Sequence, residues 1–197
     1  MRQLLLLGTL LLLAGCAARI PVTVSPEDWA ARDARLLAST DWAARGRIAI
    51  RSGSDGGQGS LYWEQQGEQA SIQLSGPFGA GAWEIRWDPW QLTVSSRDGE
   101  VAHQLSGPDA AERFLFEQLG WWFPALAARY WLRGLADPGT GAVQVFDERG
   151  RLAVLEQHGW EVRYDEYQGD ELLLLPRRLT MENERARVRI VIDRWQL

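Results

Sequence analysis

Trp42-Ala43-Ala44-Arg45-Gly46-Arg47-Ile48-Ala49-Ile50-Arg51 decides the fold. Trp42, Ala44, Gly46, Ile48 and Ile50 share one side of an extended chain; Ala43, Arg45, Arg47 and Arg51 share the other. Successive side chains of a strand leave opposite faces, so this alternation predicts a half-buried strand. The same period recurs on the C-terminal side. Residues 59–65 carry Leu61 and Trp63, residues 70–74 carry Ile72 and Leu74, and residues 82–88 set Trp83, Ile85 and Trp87 against Glu84 and Arg86. Trp90, Leu92 and Val94 follow the Asp88-Pro89 turn, and residues 101–105 follow Arg97-Asp98-Gly99. Residues 52–57, rich in Gly, Ser and Asp, read as a turn. Further strands are predicted over 142–146, 152–156, 160–167, 175–181 and 185–195. The last sets Ala186, Val188, Ile190 and Ile192 against Arg185, Arg187 and Arg189.

Three helices interrupt the pattern. Ser25-Pro26-Glu27-Asp28 supplies a cap, a first-turn proline and two acids at a helix start. That helix is predicted to run to about residue 40, with Trp29, Leu36 and Leu37 on its buried side. Residues 108–119 place Ala111, Phe114, Leu115 and Leu119 at helical spacing before Gly120. Residues 124–132 do the same with Leu126, Ala127, Tyr130 and Trp131 before Gly134. About eleven strands joined by short turns imply one antiparallel meander, and a sheet that long curls or closes. Three helices cannot surround it but can fill one mouth. The expected fold is mainly β (α+β): an incomplete barrel plugged by helices around an apolar space, in one domain over 26–197.

The 197 residues are 46% hydrophobic and 24% charged, which excludes a wholly disordered chain. A formal charge of −5 argues against nucleic acid as a partner. Every basic residue is Arg, and there are 11 Trp. One cysteine allows no intrachain disulfide. The two histidines, His103 and His158, stand in no hydrolase or metal motif, and no Gly-rich loop joins a strand to a helix in a phosphate-binding context. The expectation is no catalytic residue, no metal and no cofactor.

Met1-Arg2-Gln3 precedes an apolar run, Leu4 to Leu13, too short to span a bilayer as a mature helix. It ends in Leu13-Ala14-Gly15-Cys16, the bacterial lipobox. Residues 1–15 are read as a removable signal peptide and 16–25 as a tether, with Cys16 carrying N-acyl and S-diacylglycerol chains. The competing reading is a secreted protein with a free N-terminal cysteine. Ala17, rather than Asp, follows Cys16. By resemblance to proteobacterial lipoproteins, that favours the outer membrane, with the domain in the periplasm.

Four constellations stand out as candidates. In Gly76-Pro77-Phe78-Gly79 an apolar ring occupies a loop between two amphipathic strands. It is either a plug folded onto the core or a wedge for a bilayer or partner. The inward row Trp42, Ile48, Ile50, Leu61, Trp63, Ile72, Leu74, Trp83, Ile85 and Trp87 fills a solid core or lines an acyl-chain cavity. Trp121-Trp122-Phe123 is a cavity mouth or a staple between helices. The Arg rows, Arg45/Arg47 and Arg185/Arg187/Arg189, are a solvated face or a contact for an acidic partner or headgroups.

Trp42-x-x-x-Gly46-Arg47, Gly76-Pro77-Phe78-Gly79, Pro124 leading to Trp131-Leu132-Arg133-Gly134, Gln157-x-Gly159-Trp160-x-Val162-x-Tyr164, Leu175-Pro176 and Ile192-x-x-Trp195 follow one another in order. With the lipobox, this series resembles the LolB family, the outer-membrane receptor of bacterial lipoprotein sorting, over nearly the whole chain. The resemblance implies an open eleven-stranded half-barrel with an apolar cavity. It implies a monomer that takes acylated client lipoproteins from a LolA-like periplasmic carrier and inserts them into the outer membrane, without nucleotide or metal. It also implies a protruding loop with a large apolar residue, commonly Leu, needed for insertion; Phe78 occupies that place. Three other readings compete: a carrier of another lipid or glycolipid, an enzyme on envelope glycans, and a scaffold with a filled core.

Overall fold

The computed structural model describes residues 24–76, 81–170 and 173–197. In chain order they form α1 (Pro26–Ala38), β1 (Trp42–Ser52), β2 (Asp55–Gln66), β3 (Gln69–Ser75), β4 (Trp83–Trp87), β5 (Gln91–Ser96), β6 (Val101–Ser106), α2 (Ala110–Leu119), α3 (Ala125–Trp131), β7 (Val143–Phe146), β8 (Leu152–Gln157), β9 (Trp160–Gln168), β10 (Leu175–Glu182) and β11 (Arg187–Gln196). The strands make one antiparallel sheet in the order β6-β5-β4-β3-β2-β1-β11-β10-β9-β8-β7. First and last strands therefore meet in the middle. The two edges, β6 and β7, do not pair with each other, so the sheet curls without closing. The mainly-β, incompletely closed architecture expected from the periodicity is the one that forms.

Up-and-down alternation sorts the connections to two ends. The upper end holds the β1–β2, β5–β6, β8–β9 and β10–β11 turns and the β3–β4 loop. The lower end holds the β2–β3, β4–β5, β7–β8 and β9–β10 connections. The β8–β9 turn is made by His158 at φ 53 and Gly159 at φ 74. Two successive left-handed residues are what a tight hairpin needs to match the strand twist.

Glycine allows the curl. At Gly46 the β1–β11 register shifts, and a Cβ there would overlap the Val191 carbonyl. At Gly59 a Cβ would overlap the carbonyl of Ser75 on β3. Small residues thus sit where neighbouring backbones crowd the concave side. This bears on one departure from expectation: β2 starts at Asp55, so Gly56 and Gly57 belong to the strand rather than to a turn, and Gly59 lies in the strand as expected.

Helix α1 begins as expected, with the Ser25 hydroxyl accepting from the Asp28 N–H at 3.1 Å. It buries Trp29 and Leu36, but its third buried residue is Arg32, while Leu37 is exposed. Trp90 likewise lies exposed in the β4–β5 turn rather than in a strand. One apolar cluster runs from Trp29 through the concave sheet residues to α2 and α3.

Candidate functional site

The concave face and the helices enclose a small space of about 100 Å³, lined by hydrocarbon and aromatic side chains alone. Eight residues of the inward row line it: Ile48, Ile50, Leu61, Trp63, Ile72, Leu74, Ile85 and Trp87. The opposite wall is Leu115 and Leu119 of α2, Trp121 and Phe123 of the linker, and Ala125, Ala128 and Leu132 of the α3 region. Met181, Val188 and Ile190 complete it. The wall turns outward at the upper end. There Ile48, Ile50, Leu74, Leu119 and Trp121 also border an open mouth of about 400 Å³, together with Gly57, Gly59, Gly76 and Gly81.

Two members of the row stand elsewhere. Trp42 is buried among Trp63, Trp195 and the Arg133 guanidinium, with ring centroids 5.8 and 5.7 Å away. Trp83 is 42% exposed at the upper tip of β4. Parity gave the correct face for both but not the height along the strand. The helical side of the wall was readable only as helix periodicity. The three linker aromatics divide: Trp121 and Phe123 pack on Trp160 at 5.6 and 5.3 Å, while Trp122 is 49% exposed.

Polar pins hold the helices on the sheet, and most were invisible to pattern reading. Arg32 donates from Nε to Leu174 O at 2.6 Å, from Nη1 to Gly134 O at 3.1 Å and from Nη2 to Arg133 O at 2.5 Å. Arg133 returns the arrangement, donating to Leu36 O at 2.6 Å and Ser39 O at 2.8 Å. Each guanidinium therefore satisfies carbonyls at the C-terminal end of the other's helix, where such groups are orphaned and favour a cation. Burial pushes the Arg133 guanidinium down to about 10, which leaves it charged at neutral pH. Burial raises the Asp33 carboxyl beside Arg32, and the guanidinium pulls it back only in part.

Gln157 is a second hub. Its Oε1 accepts from Trp131 Nε1 and from Asp137 N, both at 2.9 Å; its Nε2 donates to Asp137 O and Thr140 O, both at 2.8 Å. The Tyr164 hydroxyl donates to Trp131 O at 3.0 Å and that of Tyr167 to Leu152 O at 2.7 Å. Burial pushes both phenols well above their usual value. Glu112 accepts from Leu126 N at 3.1 Å, so α2 caps the start of α3. Thus Trp131, Gln157, Trp160 and Tyr164, which carried the family resemblance, attach the helical segment to the sheet, and Arg133, of the same series, joins it to α1.

His158 Nε2 lies 2.9 Å from Asp137, and the His103 ring packs beside Phe114 at 5.3 Å. Among the described residues no cluster of His, Cys, Asp and Glu could hold a metal, and no helix is long and apolar enough to cross a membrane. Arg47 meets Asp193 at 3.5 Å and Arg187 meets Glu182 at 2.6 Å, both on the sheet's exposed side. Cys16, Pro77, Phe78 and Gly79 lie outside the described residues. Gly76 and Gly81, which flank the loop, both border the mouth.

Fold and site together define a half-open sheet whose apolar interior is reached from one end and backed by pinned helices. The family model described as outer membrane lipoprotein LolB matches residues 40–195. The outer-membrane lipoprotein LolB of Nitrosococcus oceani is 36% identical over 200 residues, covering 100% of this chain and 98% of the relative. That of Alkalilimnicola ehrlichii is 38% identical over 201 residues, covering 99% and 97%. The chain belongs to the LolB family of outer-membrane lipoproteins. Among solved structures, a LolA superfamily protein from Nitrosomonas europaea is similar with a TM-score of 0.51 at 9% identity, covering 89% of this chain and 94% of that one. A DUF1329 family protein from Desulfovibrio piger gives 0.51 at 10%, covering 86% and 90%. These two likenesses concern the fold alone.

Proposed function

We propose that the chain is the membrane-anchored receptor that accepts acylated lipoproteins from a LolA-like periplasmic carrier and inserts them into the outer membrane. In this reading residues 1–15 are removed, Cys16 carries the lipid, residues 16–25 form the tether, and 26–197 act as one half-barrel domain, probed below as a monomer. The observation that carries it is the apolar strip that the mouth and the interior share, Ile48, Ile50, Leu74, Leu119 and Trp121. Each CH₂ left in water costs about 0.8 kcal/mol, so a triacylated client crosses the periplasm only from one shelter to the next. Shelters of rising affinity, ending in the bilayer, give a downhill route that needs no chemical step. Family membership and an interior free of polar side chains support the reading.

The interior is small for its task. At about 100 Å³ it is below the ~300 Å³ at which ligand pockets commonly begin. Acyl chains therefore enter at the mouth and widen the space as they advance. Phe78, between the two glycines at the mouth, is the proposed wedge for release into membrane. Burying one Phe contributes roughly 1.5–3 kcal/mol, which suits reversible contact beside a permanent lipid anchor.

The test uses the mature chain with Cys16→Ala and a purified carrier–lipoprotein complex. The lipoprotein is expected to co-purify with the domain, and Ile72→Glu or Leu61→Glu to stop the transfer. If client stays on its carrier while the domain is folded, the receptor reading is wrong, and a lipid found in the interior by mass spectrometry would establish a carrier of that lipid instead.

A further inference from the structure

Trp83 and Trp122 do not line the interior, and each adjoins a residue that borders its opening, Leu74 across the ladder and Trp121 along the chain. Trp83 lies on the concave side at the upper tip of β4, opposite Leu74, which borders the mouth. A Cβ on Gly81 would sit 3.7 Å from the Trp83 indole nitrogen, so the ring lies along the base of the β3–β4 loop. Trp122 follows Trp121, which borders the mouth, and is itself exposed. One indole thus belongs to the sheet side and one to the linker between α2 and α3. They are 42% and 49% exposed.

We propose that Trp83 and Trp122 are a paired aromatic lip that seats the mouth in the headgroup zone of a phospholipid bilayer, a role that rests on the receptor reading above. Tryptophan suits that zone because it joins a wide apolar ring to one N–H donor that needs a wet partner. Electrostatics offers no alternative. The chain is acidic and has no lysine, so an anionic surface repels it on average. Adsorption must come from apolar area, and a half-exposed indole has on the order of 100 Å² left to bury. The outer-membrane location of the family supplies the surface. With the lip on the bilayer, a chain leaving the interior passes into lipid without crossing water.

Trp90 provides the control. It is the more exposed ring, at 69%, but it sits in the β4–β5 turn at the lower end. The five residues of β4 separate the two ends by roughly 17 Å. If exposure alone drove adsorption, Trp90 would matter most; if the lip does, it would not matter.

The experiment floats the unlipidated mature chain (Cys16→Ala) with phosphatidylcholine/phosphatidylethanolamine vesicles. Trp83→Gln and Trp122→Gln are each expected to weaken partition on the order of tenfold, independently of salt. Trp90→Gln is expected to leave it unchanged. All three positions are exposed, and circular dichroism checks that the variants fold. The proposal is overturned if the parent chain does not partition, if Trp90→Gln loses as much as the lip variants, or if partition requires anionic lipid and falls with salt. Transfer from the carrier is measured on the same variants. Unchanged partition with lost transfer would make the carrier the occupant of the lip and also overturn the proposal. Partition as expected with no transfer onto the parent chain would sink the receptor reading while the lip stands.

Discussion

Arg133→Met tests the reciprocal pinning of α1 and α3. Methionine keeps the unbranched stem beside Trp42 and Tyr130 but removes every donor. Two short guanidinium bonds disappear, at 2.6 and 2.8 Å, and the Leu36 and Ser39 carbonyls lose that partner. Bonds from a charged donor contribute about 1.5–3 kcal/mol each. Relief of the burial that lowers this guanidinium to about 10 offsets roughly 3 kcal/mol. Each carbonyl left buried and unpaired adds about 1–3 kcal/mol to the loss. The net expectation is a destabilisation of at least about 2 kcal/mol, read as a fall in Tm of at least roughly 4 °C for a domain of this size. Arg133→Lys should fall between the two, because a single ammonium keeps the charge but not the fork. Calorimetry and urea titration measure both. A Met variant within about 2 °C of the parent, or a Lys variant no better than Met, would refute the argument that carbonyl capping holds these helices together.

Other outcomes follow from the same geometry. Gly59→Ala should cost about 1–3 kcal/mol because its Cβ overlaps the Ser75 carbonyl, while Gly57→Ala, with open space beside it, should be neutral or mildly stabilising in the same urea titration. Folding raises the Tyr164 and Tyr167 phenols, so their contribution is complete below the ordinary tyrosine value near 10 and is lost as pH rises beyond it. Urea midpoints should fall above about pH 10, with two tyrosines that ionise at 295 nm only as the chain unfolds. Phe78→Glu should leave folding and acceptance of client intact but block release into liposomes; unimpaired release would remove Phe78 as the wedge.

Much of the fold was legible because a strand covered on one side has to alternate, and β1, β2, β3, β4 and β11 do. What failed, failed for physical reasons. Trp83 and Trp42 share the inner parity, but parity says nothing about whether a residue stands at the open tip or under a neighbouring arginine. Helical spacing placed Leu37 inside, yet Arg32 took a buried position because its donors meet Leu174, Arg133 and Gly134 carbonyls there. That match exists only once distant segments converge. Gly56 and Gly57 read as a turn by composition, whereas they lie inside a strand. The Gln157 hub was visible as a motif, but its four bonds join residues up to 26 positions apart, beyond any local period.

The pairing of β1 with β11 leaves the sheet's two edges at mid-chain, joined only by the segment carrying α2 and α3. Mechanically this is a sprung clip rather than a pipe. A closed barrel could be stretched only by breaking rungs of its ladder, at a cost in hydrogen bonds for every strand length opened. Here the wings β2–β6 and β10–β7 can spread about the central pair while every described rung stays intact. The work of spreading is done against side-chain packing and the polar pins of the helical segment rather than against the ladder. In the proposed receptor, lumen size is then a compliant variable set by the load, and relaxation of the clip returns that work when the load departs.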